Sequence, residues 1–272
     1  DLKHQFSGPL WNGESLAGRT LLVHAEQGFG DVIQFVRFLS SIEKSDGRLI
    51  LACHAALVEL FSEFEAIDQV IDMTGEIPPF DCQAPLLSLP RILGVDGTGI
   101  PTPPYLSPKA ADNGLDTAKL KIGFAWAGMP RHEFDPHRNR SIPIEAFEPL
   151  IKLTEIQFYS LQTGPQAVEL GRINDSSTII DLEPGILSFN DTAKLISELD
   201  LIISIDTALA HLAGAMAKNV WILLATCADW RWQAKNTNNP WYPTARLFRQ
   251  TLPGNWTDPL DDVIEKIKAL IL

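Results

Sequence analysis

The stretch LDLIISIDTALAHLAGA, Leu199 to Ala215, decides how the chain is read. Leu201, Ile202, Ile203 and Ile205 make a short, largely β-branched apolar run, the pattern of a strand buried on both faces of a parallel sheet. Asp206 and Thr207 then supply cap residues, and Ala208 to Ala217 is dominated by strong helix formers. The spacing predicts a strand that turns into a helix within about two residues. At the carboxyl end of a parallel strand, the first N–H groups of the next helix lack internal partners and carry the positive end of its dipole, which suits a phosphate. Thr207 adds a hydroxyl, and His211 lies one turn on along the same face. A plainer reading stands beside this one: Thr207 merely caps the helix and His211 is a satisfied, half-buried histidine.

Working outward, the whole chain has 272 residues, 45% of them hydrophobic, enough for one large or two medium domains. A net charge of −12 and a pI near 4.9 argue against nucleic acid or an anionic membrane surface as partner, since long-range steering would be repulsive. A small anionic ligand held by local donors is compatible with that balance. Cys53, Cys82 and Cys227 have no close spacing, so they form neither a disulfide framework nor a zinc knuckle and point to a reducing, cytoplasmic compartment. No apolar run reaches the roughly 18 residues of a membrane span. The chain lacks an initiator Met and is expected to be part of something longer.

A second turn of the same kind lies near the start. Thr20 to His24 reads as a strand, Ala25-Glu26-Gln27-Gly28-Phe29-Gly30-Asp31 as a glycine turn, and Val32, Ile33, Phe35, Val36 and Leu39 recur at helical spacing. The dinucleotide fingerprint would place a third glycine where Ile33 stands and would not want a carboxylate beside a pyrophosphate. Asp31 at a helix start stays ionised at neutral pH and is suited to accept a proton, while Gly28 and Gly30 let another molecule approach the backbone closely. The alternative is that Asp31 only caps the helix.

Further strand and helix pairs are expected at Arg48 to Ala52 and His54 to Phe64, with a strand at Gln69 to Ile71. Phe80 to Leu93, broken by Pro85 and Pro90, reads as a loop-rich edge with one short helix. From Gly94 to Leu115 the composition turns to Gly, Pro, Thr and Asp, a linker between domains 1–115 and 116–272. The second half opens with the strand Lys121 to Trp126. The polar loop MPRHEFDPHRNRSIP follows, with Arg131, Arg138 and Arg140, whose forks suit phosphate oxygens. Its His132, Glu133, Asp135 and His137 do not have helical metal-ligand spacing, so no metal is expected. Then come a helix at Glu145 to Leu153, strands at Gln157 to Leu161 and Thr178 to Leu182, helices at Pro165 to Ile173 and Asp191 to Leu199, and a strand at Val220 to Leu224. The alternation implies α/β architecture: two doubly wound domains with a cleft between their strand ends. Trp230, Trp232, Trp241, Tyr242 and Trp256 read as packing under a long loop or as a wall for a base or sugar. Asp258 to Leu272 reads as a final amphipathic helix, left free to pack back on the first domain.

The segments HAEQGFGDVIQFVRF, FDCQAPLLSLP, IGFAWAG, RNRSIP, YSLQTG, DTAKLISELDLIISIDTALAHLAGAM and DWRW…PWYP…RLFRQ, in this order, resemble the glycosyltransferase-like domain that follows tetratricopeptide repeats in bacterial proteins. That domain is related to the heptosyltransferases of glycosyltransferase family 9, and the resemblance covers nearly the whole chain. It implies a GT-B fold of two Rossmann-like domains, a nucleotide-sugar donor held mainly by the second, an acceptor facing the first, inversion at the sugar carbon, and neither cofactor nor metal. By the same resemblance Asp31 is the general base, with Gln27, Gly28 and Gly30 as acceptor-side backbone. The family's Asp-Thr-x-x-x-His element falls on Asp206, Thr207 and His211 on the donor side, with Thr207 and the helix amides, that of Ala208 among them, binding the donor's phosphates. Arg140 stands where heptosyltransferases commonly carry a lysine, Glu169 resembles a ribose-binding glutamate, and Gln162 falls on the donor side. Base, sugar and acceptor stay unnamed. The alternatives are a catalytically silent nucleotide-sugar-binding or scaffold module, and an epimerase on the same architecture.

Overall fold

The computed structural model describes residues 6–97, 99–108, 114–115, 119–129, 140–174, 178–234 and 239–271. The chain divides into two compact units, residues 1–108 with Ser188–Asn190, and residues 109–187 with 191–272.

The first unit is built on a four-stranded parallel sheet of β1 (Thr20–His24), β2 (Arg48–Cys53), β3 (Gln69–Asp72) and β4 (Cys82–Pro85), in the order β3-β2-β1-β4. Helices α1 (Phe29–Phe35), α2 (Ala55–Phe61) and α3 (Leu89–Ile92) accompany it. β1 and β2 are apolar and buried along almost their whole length, as strands of a parallel sheet covered by helices must be. β4 was hidden in the sequence because its last residue is Pro85. Proline is tolerated there because Pro85 ends the strand, beyond Gln83, whose N–H and carbonyl pair on the strand's outer side with Pro9 and Trp11.

The segment expected as linker belongs in part to this unit. Arg37 is fully buried, donating to the carbonyls of Gln34 (2.8 Å) and Pro101 (3.1 Å) and to the Tyr105 hydroxyl (2.8 Å). Its guanidinium lies 4.4 Å from the Tyr105 ring centroid, and Tyr105 in turn donates to the Ile33 carbonyl at 3.0 Å. These bonds fasten residues 101–105 to α1, so a proline-rich composition here marks a strap rather than a loose tether.

The second unit has a six-stranded parallel sheet: β5 (Leu120–Phe124), β6 (Ile156–Ser160), β7 (Ile179–Asp181), β8 (Leu201–Ile205), β9 (Val220–Leu224) and β10 (Ala245–Arg249), in the order β10-β9-β8-β5-β6-β7. Its helices are α4 (Glu148–Ile151), α5 (Phe189–Glu198), α6 (Ala208–Ala215) and α7 (Thr257–Lys268). β8 and β9 are buried at every residue. β10, which the sequence reading left out, alternates exposed Arg246 with buried Leu247 and extends the sheet beyond β9. The segment expected as a helix from Pro165 is a 3-10 helix, Gly164–Arg172. In α7, Leu260, Val263 and Ile267 are buried in the core of the second unit with Phe248 and Leu150, so the final helix finds its partners within its own unit.

In each sheet the chain first winds one way and then reverses. The reversal falls between β1 and β4 in the first unit and between β5 and β8 in the second. At such a point adjacent loops leave the strand ends in opposite directions, opening a crevice where ligands bind in α/β folds. The two turns singled out from the sequence, after β1 and after β8, both stand at these positions.

Candidate functional site

In the second unit the chain leaves β8 at Ile205 and enters α6 at Ala208, with Thr207 as N-cap in an extended conformation (φ −143°, ψ 173°). The Thr207 hydroxyl makes no capping hydrogen bond; it lies 3.2 Å from the Ser204 hydroxyl. The Thr207 carbonyl accepts from the N–H of Ala210 (3.0 Å) and of His211 (3.4 Å), so the helix is properly started. Thr207 is thus the N-cap residue, as the plainer reading has it, but without a side-chain capping bond, and the N–H groups of Ala208 and Leu209 have no partner within the helix.

Arg140 is brought to this turn. Residues 126–128, just past β5, are joined to the segment 141–142 by bonds from Ile142 N–H to the Trp126 carbonyl (2.9 Å) and from Gly128 N–H to the Ser141 hydroxyl (3.2 Å). The Arg140 side chain lies against Gly128, where a Cβ would come within 3.1 Å of its Nε, and donates from Nη1 to the Asp206 carbonyl at 3.2 Å. Gly128 thus admits the guanidinium to the amino end of α6. Arg131 and Arg138, and the His132, Glu133, Asp135 and His137 group, lie outside the described residues.

Half-buried Asp206 and buried His211 form a pair beside the turn, His211 Nε2 lying 4.0 Å from Asp206 Oδ1. His211 Nδ1 and the Tyr242 hydroxyl are 2.9 Å apart, and the imidazole packs 5.3 Å from the Trp232 ring. Burial pushes the Asp206 carboxyl from its ordinary 3.8 up to about 6, against the pull of the Trp232 indole and the Arg140 guanidinium. Asp229 adds to the rise and Arg231 opposes it, so both act on this carboxyl from the loop after β9. These four residues, Asp229, Arg231, Trp232 and Tyr242, were not assigned to the site from the sequence. Trp232 and Tyr242, expected either as packing or as a wall for a base or sugar, are fully buried, and nothing local to them signals that they pack on His211.

Two further expected donor-side residues have their polar atoms engaged with the protein. Gln162, just past β6, accepts with Oε1 from the N–H groups of Trp126 (3.1 Å) and Ala127 (2.9 Å) and donates to the Thr163 carbonyl (3.1 Å). It ties the end of β5 to the end of β6. Glu169 accepts from the Trp126 indole N–H at 3.1 Å and lies 3.8 Å from Arg172. A separate pocket of about 290 Å³, lined by Leu182, Pro184, Gly185, Lys194 and Leu195 among others, includes none of the expected site residues.

In the first unit, Gly28 is the N-cap of α1 and Asp31 its third residue. The Asp31 carboxylate accepts the Gly28 N–H at 3.0 Å, half of a capping box. The Gln27 carbonyl lies 2.7 Å from His54 Nε2, which anchors the turn to the end of β2, while Gln27 and Gly28 are exposed and Gly30 half-buried. The turn therefore offers a carboxylate and open backbone on a rigid support, and the carboxylate also serves the helix.

Residues 142–252 match the profile of Glycosyltransferase family 9 (heptosyltransferase), a segment running from the return of the loop after β5 to just past β10. Over 298 aligned residues the chain is 25% identical to protein FlbA of Caulobacter vibrioides, covering 98% of the chain and 49% of FlbA, so it spans about half the length of that curated relative. Among solved structures it superimposes on the family 9 glycosyl transferase of Veillonella parvula, with a TM-score of 0.68, 13% identity and coverage of 96% and 99% of the two chains. The E. coli ADP-heptose lipopolysaccharide heptosyltransferase II gives a TM-score of 0.64 with 16% identity, covering 93% of this chain and 98% of that one. E. coli heptosyltransferase WaaC with ADP-2-deoxy-2-fluoro heptose gives 0.61 with 12% identity at the same coverage. The fold is the α/β GT-B fold of these transferases.

Proposed function

We propose that the chain is a metal-independent, inverting glycosyltransferase that moves a sugar from a nucleotide-sugar donor to an acceptor hydroxyl. The observation that carries the reading is the amino end of α6, where an extended Thr207, an uncapped pair of N–H groups and Arg140 converge. A leaving diphosphate gains negative charge as the glycosidic bond breaks, and fixed amide dipoles with a guanidinium stabilise that charge without reorganising. The match of residues 142–252 to family 9 covers this turn, and the heptosyltransferases sharing the fold favour an ADP-linked sugar as the first donor to try.

In this reading Asp31 takes the proton of the acceptor hydroxyl as its oxygen attacks the anomeric carbon, and the diphosphate departs from the opposite face with the bonding electrons. No cofactor takes part. The acceptor, a glycan, lipid-linked or protein hydroxyl, is left open. The tetratricopeptide-repeat context and cytoplasmic location belong to the same proposal.

A second reading is favoured by one observation, the bond from Gly28 N–H to Asp31: a carboxylate doing structural duty suits a nucleotide-sugar-binding module without turnover. Two variants separate the readings. Asp31→Asn should leave donor affinity nearly unchanged and lower turnover by about 10²–10⁴-fold, the usual share of a general base. Thr207→Val should weaken donor binding first, by about 1–3 kcal/mol. Calorimetry, transfer assays and a thermal-shift screen with ADP, UDP, GDP and CMP provide the readouts. Wild-type turnover in Asp31→Asn would remove Asp31 as base.

A further inference from the structure

The chain has seven tryptophans, and the structure buries five of them: Trp11, Trp126, Trp221, Trp232 and Trp256. Trp230 is the opposite case, 62% exposed. An indole left in water forgoes the burial energy that each of the other five gains. Trp241 stands edge-on to it, ring centroids 5.9 Å apart and planes at 78°.

This pair is not a floppy surface feature. Asp229 caps the short 3-10 turn Trp230–Trp232 and accepts from Arg231, from its N–H at 3.0 Å and from Nη1 at 2.9 Å. The Arg231 guanidinium, itself nearly buried, lies 4.8 Å from the Trp230 ring centroid. Asn239 joins the two tryptophan-bearing segments: it donates to the Arg231 carbonyl (2.9 Å) and accepts from the N–H groups of Trp241 (2.7 Å) and Tyr242 (3.2 Å). Arg249 donates to the Trp232 carbonyl from the end of β10. A satisfied polar scaffold rigidifies the segments it joins, so the exposed ring is held in a fixed place, as a binding platform needs.

Its location identifies the ligand. Trp230 is two residues from Trp232 and Trp241 is one residue from Tyr242, and Trp232 and Tyr242 are the two rings against His211. Asp229 and Arg231, on either side of Trp230, both act electrostatically on Asp206. The two segments that carry the aromatic pair therefore pack on the first turn of α6 through Trp232 and Tyr242. An exposed indole beside a partly exposed carboxylate suits a group with an apolar face and hydroxyls, and a pyranose ring has both: its C–H face stacks on an indole while its hydroxyls meet groups such as Asp229.

We infer that Trp230, with Trp241 behind it, is the stacking platform for the glycosyl ring of the nucleotide-sugar donor. The inference rests on the donor reading above, and the test separates the two. Wild type, Trp230→Ala and Trp230→Phe are titrated calorimetrically with ADP, UDP and GDP and with ADP-glucose, UDP-glucose and GDP-mannose. Trp230→Ala should weaken the bound nucleotide sugar by about 3–10-fold, the range expected for loss of one aromatic stacking contact. It should leave the matching nucleoside diphosphate unchanged, and Trp230→Phe should recover part of the loss. Tryptophan emission should shift to the blue with the nucleotide sugar and not with the diphosphate alone. Equal losses for both ligands, or none, would overturn the platform while leaving the donor site standing. Binding of glucose or mannose to the diphosphate-saturated protein, abolished in Trp230→Ala, would overturn the donor assignment in favour of an acceptor sugar. A wild type that binds none of the six nucleotides refutes the donor reading and this inference together.

Discussion

Asp206→Asn should make the protein more stable at neutral pH, and the gain should appear over a defined pH window. The folded chain raises the Asp206 carboxyl from 3.8 to about 6, mainly by burial. Its proton is therefore held more tightly in the folded state than in the unfolded one. Between these two values the unfolded chain has released the proton and the folded chain has not, so stability falls as pH rises, and above about 6 the whole penalty is in force. A tenfold change in a proton equilibrium corresponds to about 1.4 kcal/mol, so the displacement from 3.8 to about 6 amounts to about 3 kcal/mol at most. Asparagine keeps the shape and cannot ionise. Urea unfolding of wild type and variant at a series of pH values gives the difference directly, free of the titration of other groups. The two proteins should agree below about pH 4, diverge up to about 6 and run parallel beyond it. A variant less stable than wild type at neutral pH, or a difference independent of pH, would refute the argument that a desolvated carboxylate sits beneath this turn.

Exhaustive chelation with EDTA should leave transfer activity intact, because a helix terminus and Arg140 neutralise the diphosphate without a cation; recovery of lost activity by Mn²⁺ or Mg²⁺ would reject this. Arg37→Ala should cost about 2–4 kcal/mol in urea unfolding and open residues 101–105 to proteolysis, since it empties a buried site and strips the Pro101 carbonyl of its donor. A cost below about 1 kcal/mol would show that the strap is held by other contacts.

The sequence made the strand-turn-helix units readable wherever the signal was local. β1 follows from the apolar run at Thr20 to His24, and β8 with α6 follows from β-branched residues giving way to alanine and leucine. What it hid was set by partners far along the chain. β4 exists because β1 offers it an edge, against the bias of Pro85, and β10 because β9 does the same for Ala245–Arg249. At Gly164–Arg172 a run with helical hydrophobic spacing settled as a 3-10 helix after Gly164 and Pro165. In the candidate site, Thr207 and His211 were visible as a pair one turn apart, and Arg140 as a cation for the same turn. The Tyr242 hydroxyl at His211, from a segment 31 residues away, has no local signature. Nor does the difference between Trp230 and Trp232, two residues apart in sequence and opposite in burial.

Gly214 lies on α6 one turn beyond His211, and a Cβ there would sit 2.5 Å from the Tyr242 ring. The smallest possible change, to alanine, would expel the ring whose hydroxyl meets His211, although position 214 touches no ligand in any reading of the site. Positions 214 and 242 are therefore sterically coupled, and through Tyr242 the glycine also sets the surroundings of His211. A single methyl group added on the far side of the helix would disturb this arrangement without any change at the turn itself.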